Sequence, residues 1–512
     1  MADHAPLASA VAAGEPFVLL YCFEPPIMAS PQHGPRHWQF VAQCLVDLQE
    51  RGWPVIVWWG EVLEALEELR QQHQIKTIYA HQETGHRLSF LRDRAVGQWC
   101  RGQGIGWQEF VQDAVIRGRK HRRGFAEHVD RHLASPLVSV AVDPGKLVDH
   151  GQLLRGADFN LRPAVSSEDQ RGDFTVSKEQ AAVWPQKPGR YFPTPGALHP
   201  QRQPGGESNA WRYLRSFTEE RGLHYAKSIS SPSLSRRSCS RISTYLAWGC
   251  VSVRQVHQWS KSARVAPEMR RELSAFRERL WWRAHYYQKL EAEWQIERIP
   301  LNPAFLKLGR TQSAARLRAF VEGKTGLPMI DAAVRCLEAT GWLNFRMRAM
   351  LATFATFTLW LDWRAVSHFL SSRFLDYDPG IHYGQLQMQA GLTGYHPPRT
   401  YNPYLQGEQK DPDGVFVHQW VPELRHLPPP FCHYPHRLTP MERVMYGHEA
   451  NLYPAPIVDF AKENARNMER YWTVRKTPEA RAALPEIWAR HCLPENIAAY
   501  ERGQTPKMRR EA

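Results

Sequence analysis

Over the first third of the chain, short apolar runs alternate with longer stretches in which apolar residues recur every three or four positions. GEPFVLLYCF, WPVIVWW and IKTIYAH read as strands, and HWQFVAQCLVDLQERG, VLEALEELRQQHQ and FLRDRAVGQWCRGQG as the helices between them. Apolar strands separated by helices predict a parallel α/β domain covered on both faces. Residues 151–205 break the rhythm: SSEDQRG and WPQKPGRYFPTPG are dominated by turn formers, as in a long connection. From about residue 206 no strand pattern returns. AWRYLRSFTEERG, RISTYLAWGCVSVRQVHQWS and the span from Pro267 to Trp294 carry helical periodicity, and 314–350 reads as two helices broken at GKTGLP. The expected layout is an α/β domain over 1–150, a connection over 151–205, an all-helical domain over 206–475 and a charged tail over 476–512. A chain of 512 residues exceeds one core's usual size, which agrees with two domains.

Charge and cysteine usage narrow the function. The formal net charge of +14 suits an anionic partner such as nucleic acid, or else a merely basic surface. No two of the eight cysteines stand at CxxC spacing, so neither a zinc nor an iron–sulfur motif is present; scattered reduced thiols in a cytoplasmic protein are expected. The start, MADHAPLAS, has neither the basic nor the apolar region of an export signal, and the run MLATFATFTLWLDW is too short to span a bilayer. There is no GxGxxG and no Walker loop. What remains is a long apolar stretch from Trp342 to Pro403 that contains Arg346, Arg348, Asp376 and Asp378. Buried charge is costly unless paired or used, so these four read as the lining of a pocket for a large, planar, polar ligand.

Four ordered segments carry a resemblance: CSRISTYLAWGCVSVR from Cys239, EGKTGLPMIDAAVRCLEATGW from Glu322, DYDPGIHYGQLQ from Asp376 and YNPYLQGEQKDPDGVFVHQWVPEL from Tyr401. With them the chain resembles the photolyase/cryptochrome flavoproteins over most of its length. The resemblance implies an N-terminal parallel-sheet antenna domain, a long linker and a C-terminal all-helical domain holding FAD in a U shape. It implies Tyr225, Ser240, Arg241 and Ser243 on the phosphate and ribityl side, and Arg283 on the cofactor side. Arg348 and Asp376 would form an ion pair beside the isoalloxazine, and Asp378 would stand near the sugar and flavin edge. His382 takes the place facing flavin N5, where it would govern the flavin radical and could change state near neutral pH; alternatively its loop packs differently.

Trp282 matches a tryptophan that stacks on a flipped photoproduct, with Arg346 in the same pocket and Arg399 toward a DNA phosphate. The alternative for Trp282 is a core aromatic. Several positions depart from the pattern. Leu386 replaces the proximal tryptophan of the usual electron route, Trp363 keeps the middle place, and Arg310 falls at the surface place. Trp360, Tyr383, Trp342 and Tyr395 are substitute donors. Arg279 stands where a dimer-binding glutamate is usual, with Glu278 adjacent. Phe345 replaces an asparagine that Asn344 precedes, and Met388 replaces a second stacking tryptophan. Leu88 and Ser89, before Arg92 and Asp93, do not reproduce a folate antenna site, so a second chromophore is left open. MADHAPLASAV resembles the segment after the family's first, internal strand, so either an upstream start or a rebuilt sheet is expected.

Three functions fit: a monomeric photolyase repairing cyclobutane pyrimidine dimers in UV-damaged DNA, a blue-light photoreceptor signalling through flavin reduction, and a non-catalytic FAD or nucleic-acid-binding protein.

Overall fold

The structure is a computed structural model that describes residues 2–140, 199–263, 265–429, 431–446 and 452–502. The N-terminal domain runs α1 (Ala5–Ala12), β1 (Leu19–Phe23), α2 (Pro35–Glu50), β2 (Val55–Trp59), α3 (Val62–Gln72), β3 (Thr77–His81), α4 (Arg87–Gln103), β4 (Gly106–Phe110) and α5 (Phe125–Ala134). The strands and helices predicted from the apolar pattern are present. The polar sequence GWQEF gave no such signal, yet it forms β4.

The pairing departs from one continuous sheet. β1 lies parallel to β2, with Leu19 opposite Val55 and Phe23 opposite Trp59. β3 lies parallel to β4, with Thr77 opposite Gly106 and His81 opposite Phe110. The two pairs are separate two-stranded sheets. α1 packs against β3 and β4, and the His4 ring meets His81 at 4.6 Å. Coverage is correspondingly uneven: β2 begins with three buried residues, whereas β3 is half-buried throughout.

The helical domain contains α6 (Glu207–Glu219), α7 (Ser243–Ala247), α8 (Val253–Ser262), α9 (Pro267–Ala292), α10 (Ala314–Val321), α11 (Pro328–Thr340), α12 (Phe345–Thr353), α13 (Trp363–Arg373), α14 (Pro379–Gln389), α15 (Pro403–Lys410), α16 (Val415–Trp420) and α17 (Phe460–Arg475). Three helices, not two, occupy 314–353. Gly341, at φ +74°, ends α11, and the Asn344 side chain caps α12 by accepting from the Met347 amide at 3.1 Å.

The expected charged tail is in part structured. Pro478–Ala482 (α18), Leu484–His491 (α19) and Pro494–Glu501 (α20) each begin with a proline in the first turn, where its missing N–H costs nothing. Ala480, Ile487 and Cys492 enter the main core, and the Lys289 ammonium donates to the His491 carbonyl at 3.0 Å. Nearly all of the expected connection lies outside the described residues. Among those described, no helix is long and apolar enough to cross a membrane and no His/Cys/Asp/Glu cluster could hold a metal. All eight cysteines are free thiols.

Two contacts bear on the position of the site. Arg36 of α2 donates to the carbonyls of Leu337 and Arg373, each at 3.0 Å, tying the α/β domain to α11 and α13. In the other, α14 lies directly on α9. A Cβ at Gly380 would stand 3.0 Å from the Tyr287 Cα, and one at Gly384 would stand 2.6 Å from the Tyr286 ring. The two glycines, four residues apart on one face of α14, therefore permit the close crossing that brings Asp378 to Arg283.

Candidate functional site

Arg283 on α9 and Asp378 at the start of α14 form a buried ion pair with an N–O distance of 2.5 Å. Arg283 also donates to Asp113 of the N-terminal domain at 3.2 Å, to the Leu246 carbonyl at 3.3 Å and to the Tyr287 hydroxyl at 2.5 Å. Tyr287 in turn donates to Asp378, so one cation, two carboxylates and a phenol form a closed group. Burial pushes the Asp378 carboxyl upward against the pull of Arg283, and burial lifts the Tyr287 phenol well above its ordinary range. Arg283 remains a cation: burial works against its charge, but Asp378, Tyr287 and Asp113 outweigh it and raise its pKa.

A second pair stands beside the first. Arg348 donates to Asp376 at 2.8 Å and to the Leu343 carbonyl at 2.8 Å, and its guanidinium covers the Phe374 ring. On the far wall, Arg241 adopts φ +60°, stacks over Trp342 at 4.3 Å and donates to Gln203 at 3.1 Å. Ser240 is buried, and Ser243 opens α7. Tyr225 is buried against Phe217 and Phe276 and is held by Arg279. The sequence-predicted cofactor residues thus fall into these two groups and this wall.

Their unused valence is informative. Asp376 Oδ1, Asp378 Oδ1, Arg241 Nη2 and the Tyr377 hydroxyl are buried with no hydrogen-bond partner. Buried polar atoms in folded proteins are nearly always satisfied, and leaving one unpaired costs about 1–3 kcal/mol. Carboxylate oxygens suit ring N–H and sugar hydroxyl donors, and a guanidinium suits a phosphate. The residues present fit a flavin nucleotide.

His382 is half-buried between Tyr377 and Tyr383, both rings at 5.3 Å, and its Nε2 shares a hydrogen bond of 2.9 Å with Ser367 of α13. Burial first, then Arg348, pushes its pKa down to about 3. The sequence-based expectation of titration near neutral pH is corrected: the imidazole is neutral there. Asn344 is committed to its cap and to the Ile229 carbonyl at 3.1 Å, so it does not substitute for the asparagine that Phe345 replaces.

Trp282 is half-buried on α9; its Nε1 donates to Glu278 at 3.4 Å, and its ring meets His285 at 5.0 Å. Arg346 is half-buried beside Gln406 and Tyr401, and Arg399 is exposed. Phe345 (50% exposed) and Leu405 (45%), each next in sequence to a member of the Arg346–Gln406 pair, are exposed apolar side chains.

The residues expected to carry electrons fare differently. Trp363 is buried with Arg364 over its ring at 5.4 Å. Trp360 is buried at φ +55° between two guanidiniums, Arg310 at 5.3 Å and Arg470 at 5.4 Å. Each cation opposes a hole on that indole by about 3 kcal/mol at an effective dielectric of ~20. Trp360 is therefore a poor donor. Arg310, expected at the surface, is half-buried and donates to the Ala390 carbonyl. Sequence reasoning missed Asp113, Gln203 and Tyr287. Tyr287 was findable: it lies four residues after Arg283, one helical turn along the same face.

Comparison with known proteins gives the family and the fold. The profile of the FAD binding domain of DNA photolyase matches residues 276–473, and that of DNA photolyase matches residues 1–124. The chain belongs to the photolyase/cryptochrome flavoprotein superfamily. Among relatives of this superfamily, cryptochrome DASH of Gloeobacter violaceus is 26% identical over 500 residues, covering 92% of this chain and 93% of that one. The deoxyribodipyrimidine photo-lyase of Vibrio cholerae is 32% identical over 268 residues, 51% of this chain and 55% of its own. A bacterial class III photolyase from Agrobacterium tumefaciens shares the fold with a TM-score of 0.72 at 24% identity, over 93% of this chain and 95% of that one. A Synechocystis cryptochrome does so with a TM-score of 0.74 at 21% identity, over 91% and 96%.

Proposed function

We propose that this photolyase-superfamily protein repairs cyclobutane pyrimidine dimers in DNA under light. The observation that carries the reading is the set of unsatisfied buried atoms on Asp376, Asp378 and Arg241, in a domain that also carries Trp282 and Arg346 half-buried at positions matching the family's substrate pocket. Bound FAD would supply the light-driven one-electron chemistry. Asp376 and Asp378 offer acceptors to the ring and sugar, while Arg241, Ser240 and Ser243 face the phosphate side. Tyr225 is the aromatic wall behind them. Arg283 and Arg348 hold the two aspartates in orientation. His382, kept neutral and fixed by Ser367, sets which ring nitrogen can meet a flavin. Trp282 offers a stacking face for an unstacked base, and Arg346 offers it a cation. Arg399 and the net charge of +14 supply phosphate contacts. The protein would act as a monomer, with any second antenna chromophore seated in the N-terminal domain.

The test is repair of dimer-containing single- and double-stranded DNA by protein whose flavin has been chemically reduced beforehand. Dimer loss in the light and none in the dark supports repair. Trp282→Ala should weaken lesion binding by roughly 1–3 kcal/mol and leave undamaged duplex nearly unaffected. The second reading, a blue-light photoreceptor, is favoured by buried Leu386 in the proximal donor place and by Arg279 engaging Tyr225 rather than a substrate. Reduced, FAD-loaded protein that binds DNA without preference for damage and repairs none of it would select that reading.

A further inference from the structure

Buried Leu386 has no accessible redox state, and Trp360 is enclosed by two cations. A donor in this fold must sit near the flavin site and, if it is a phenol, must have a base for its proton. A phenol oxidised without losing that proton becomes a strong acid, so the proton acceptor decides which tyrosine can serve. Four tyrosines border the site, and one of them, Tyr225, is hydrogen-bonded to the Arg279 cation, which takes no proton. The Tyr377 hydroxyl is buried with no partner. The Tyr383 hydroxyl accepts from the Gln32 amide at 3.3 Å and stands beside the Tyr377 and Ser367 hydroxyls, none of which is a base; the Glu297 carboxylate acts on it only through its charge, without a hydrogen bond. Tyr287 donates directly to the Asp378 carboxylate; the Arg283 guanidinium covers its ring at 4.5 Å, but an oxidised ring that sheds its proton to Asp378 is a neutral phenoxyl and leaves no charged hole for that cation to oppose.

We infer that Tyr287 is a proton-coupled electron donor to the photoexcited oxidised flavin, with Asp378 receiving its proton. The inference rests on FAD binding as proposed above. One electron leaves the Tyr287 ring for the flavin while its O–H bond breaks and an O–H bond forms on Asp378 Oδ2. The products are a neutral phenoxyl, a carboxylic acid and a flavin reduced by one electron. An added thiol then returns a hydrogen atom to the phenoxyl.

The surroundings suit this exchange. The Asp378 carboxyl, already pushed upward by burial, takes a proton more readily than an exposed one. Arg283 keeps Asp113 as a carboxylate partner at 3.2 Å when Asp378 is neutralised, so its charge is not stranded. Its hydrogen bond to the Tyr287 oxygen, 2.5 Å, persists onto the phenoxyl. Burial in the α9–α14 crossing keeps water from the radical; Tyr287 is 7% exposed.

The experiment uses the FAD-loaded full chain under anaerobic blue flashes with thiol present, read by transient absorption and by electron paramagnetic resonance of frozen samples. The wild type should give a tyrosyl signature whose formation slows in D2O. Tyr287→Phe should retain flavin and lose roughly 10²-fold in photoreduction rate, the scale of a positioned proton acceptor. Fluorotyrosine placed at 287 by codon suppression keeps the hydroxyl and packing, and should add fluorine splitting to the radical spectrum. An unchanged rate in Tyr287→Phe, a tryptophan radical in the wild type, or no fluorine splitting would overturn the inference while leaving FAD binding intact. A wild-type protein that is folded but never holds flavin would sink both.

Discussion

Asp331 and the pair Asp376 and Asp378 are buried carboxylates in two of the segments that carry the family resemblance, yet they are wired differently. Asp331 is fully buried, and both its oxygens are used. Oδ1 accepts from the Thr325 amide at 2.8 Å and its hydroxyl at 2.7 Å; Oδ2 accepts from the Gly326 amide at 3.0 Å and from Tyr453. It closes the GKTGLP loop and has nothing left for a ligand. Asp376 and Asp378 each pair one oxygen with an arginine and leave the other buried and unbonded. A motif match does not separate architecture from binding. Residual hydrogen-bonding capacity does.

The largest expected effect tests the satisfied carboxylate. Asp331→Ala strands two backbone amides and two hydroxyls in a buried loop. Urea denaturation should show a loss of about 3 kcal/mol or more, with or without FAD. A loss near that of an ordinary surface substitution would mean that the loop closes without Asp331 and that the contrast is false.

Asp376→Asn should behave in the opposite way. An amide oxygen can still accept from Arg348, so the protein without flavin should melt almost as the wild type does. FAD affinity should fall by roughly tenfold to a hundredfold, about 1–3 kcal/mol for one lost charged acceptor. Fluorescence titration reads the affinity, and melts with and without FAD read the stability. An equal loss in both melts would make Asp376 architectural, like Asp331.

How far the sequence reached follows from what each part depends on. Short apolar runs exposed strands β1 to β3, and a period near 3.6 exposed the long helices, because both mark where the chain leaves water. The polar strand β4 and the division into two sheets were not legible, because pairing is a non-local choice that apolar spacing does not encode. The flavin-side residues were legible through motifs, which name positions. The partners that orient them, Asp113 from the other domain and Gln203 beside the connection, come from 170 and 38 residues away in sequence. The tail looked polar because its helices are short and bury few residues each, among them Ala480, Ile487 and Cys492.

His382 provides a smaller test on the flavin side. Its depressed pKa means the ring gains a proton only as pH falls toward about 3. Ring nitrogen shifts of His382 should therefore stay constant from pH 5 to 8, and flavin radical lifetime should show no His382-dependent step in that range. His382→Asn should change the lifetime itself by a constant factor. A titration near pH 6.5 that disappears in His382→Asn would show that the ring is hydrated and not held against Ser367.

Glu297 lies between the two kinds of carboxylate and gives the smallest expected effect. It accepts from the Arg87 amide at 2.6 Å, across the domain boundary at the start of α4. Burial raises its pKa to about 7, against the downward pull of that hydrogen bond and of Arg298 and Arg87. A carboxyl with a folded pKa above its unfolded value favours the folded state fully below the unfolded pKa. That contribution is lost as pH rises through the folded pKa. The folded chain therefore holds a proton at Glu297 between about pH 4.5 and 7 that the unfolded chain has released, and stability from this group falls across that window. Glu297→Gln keeps an acceptor for Arg87 and removes the titration. Melts of wild type and variant should coincide most closely near pH 5 and separate toward pH 8, with the variant the more stable. A constant difference from pH 5 to 8 would show that Glu297 is already ionised and satisfied, and would place it with Asp331 as part of the architecture.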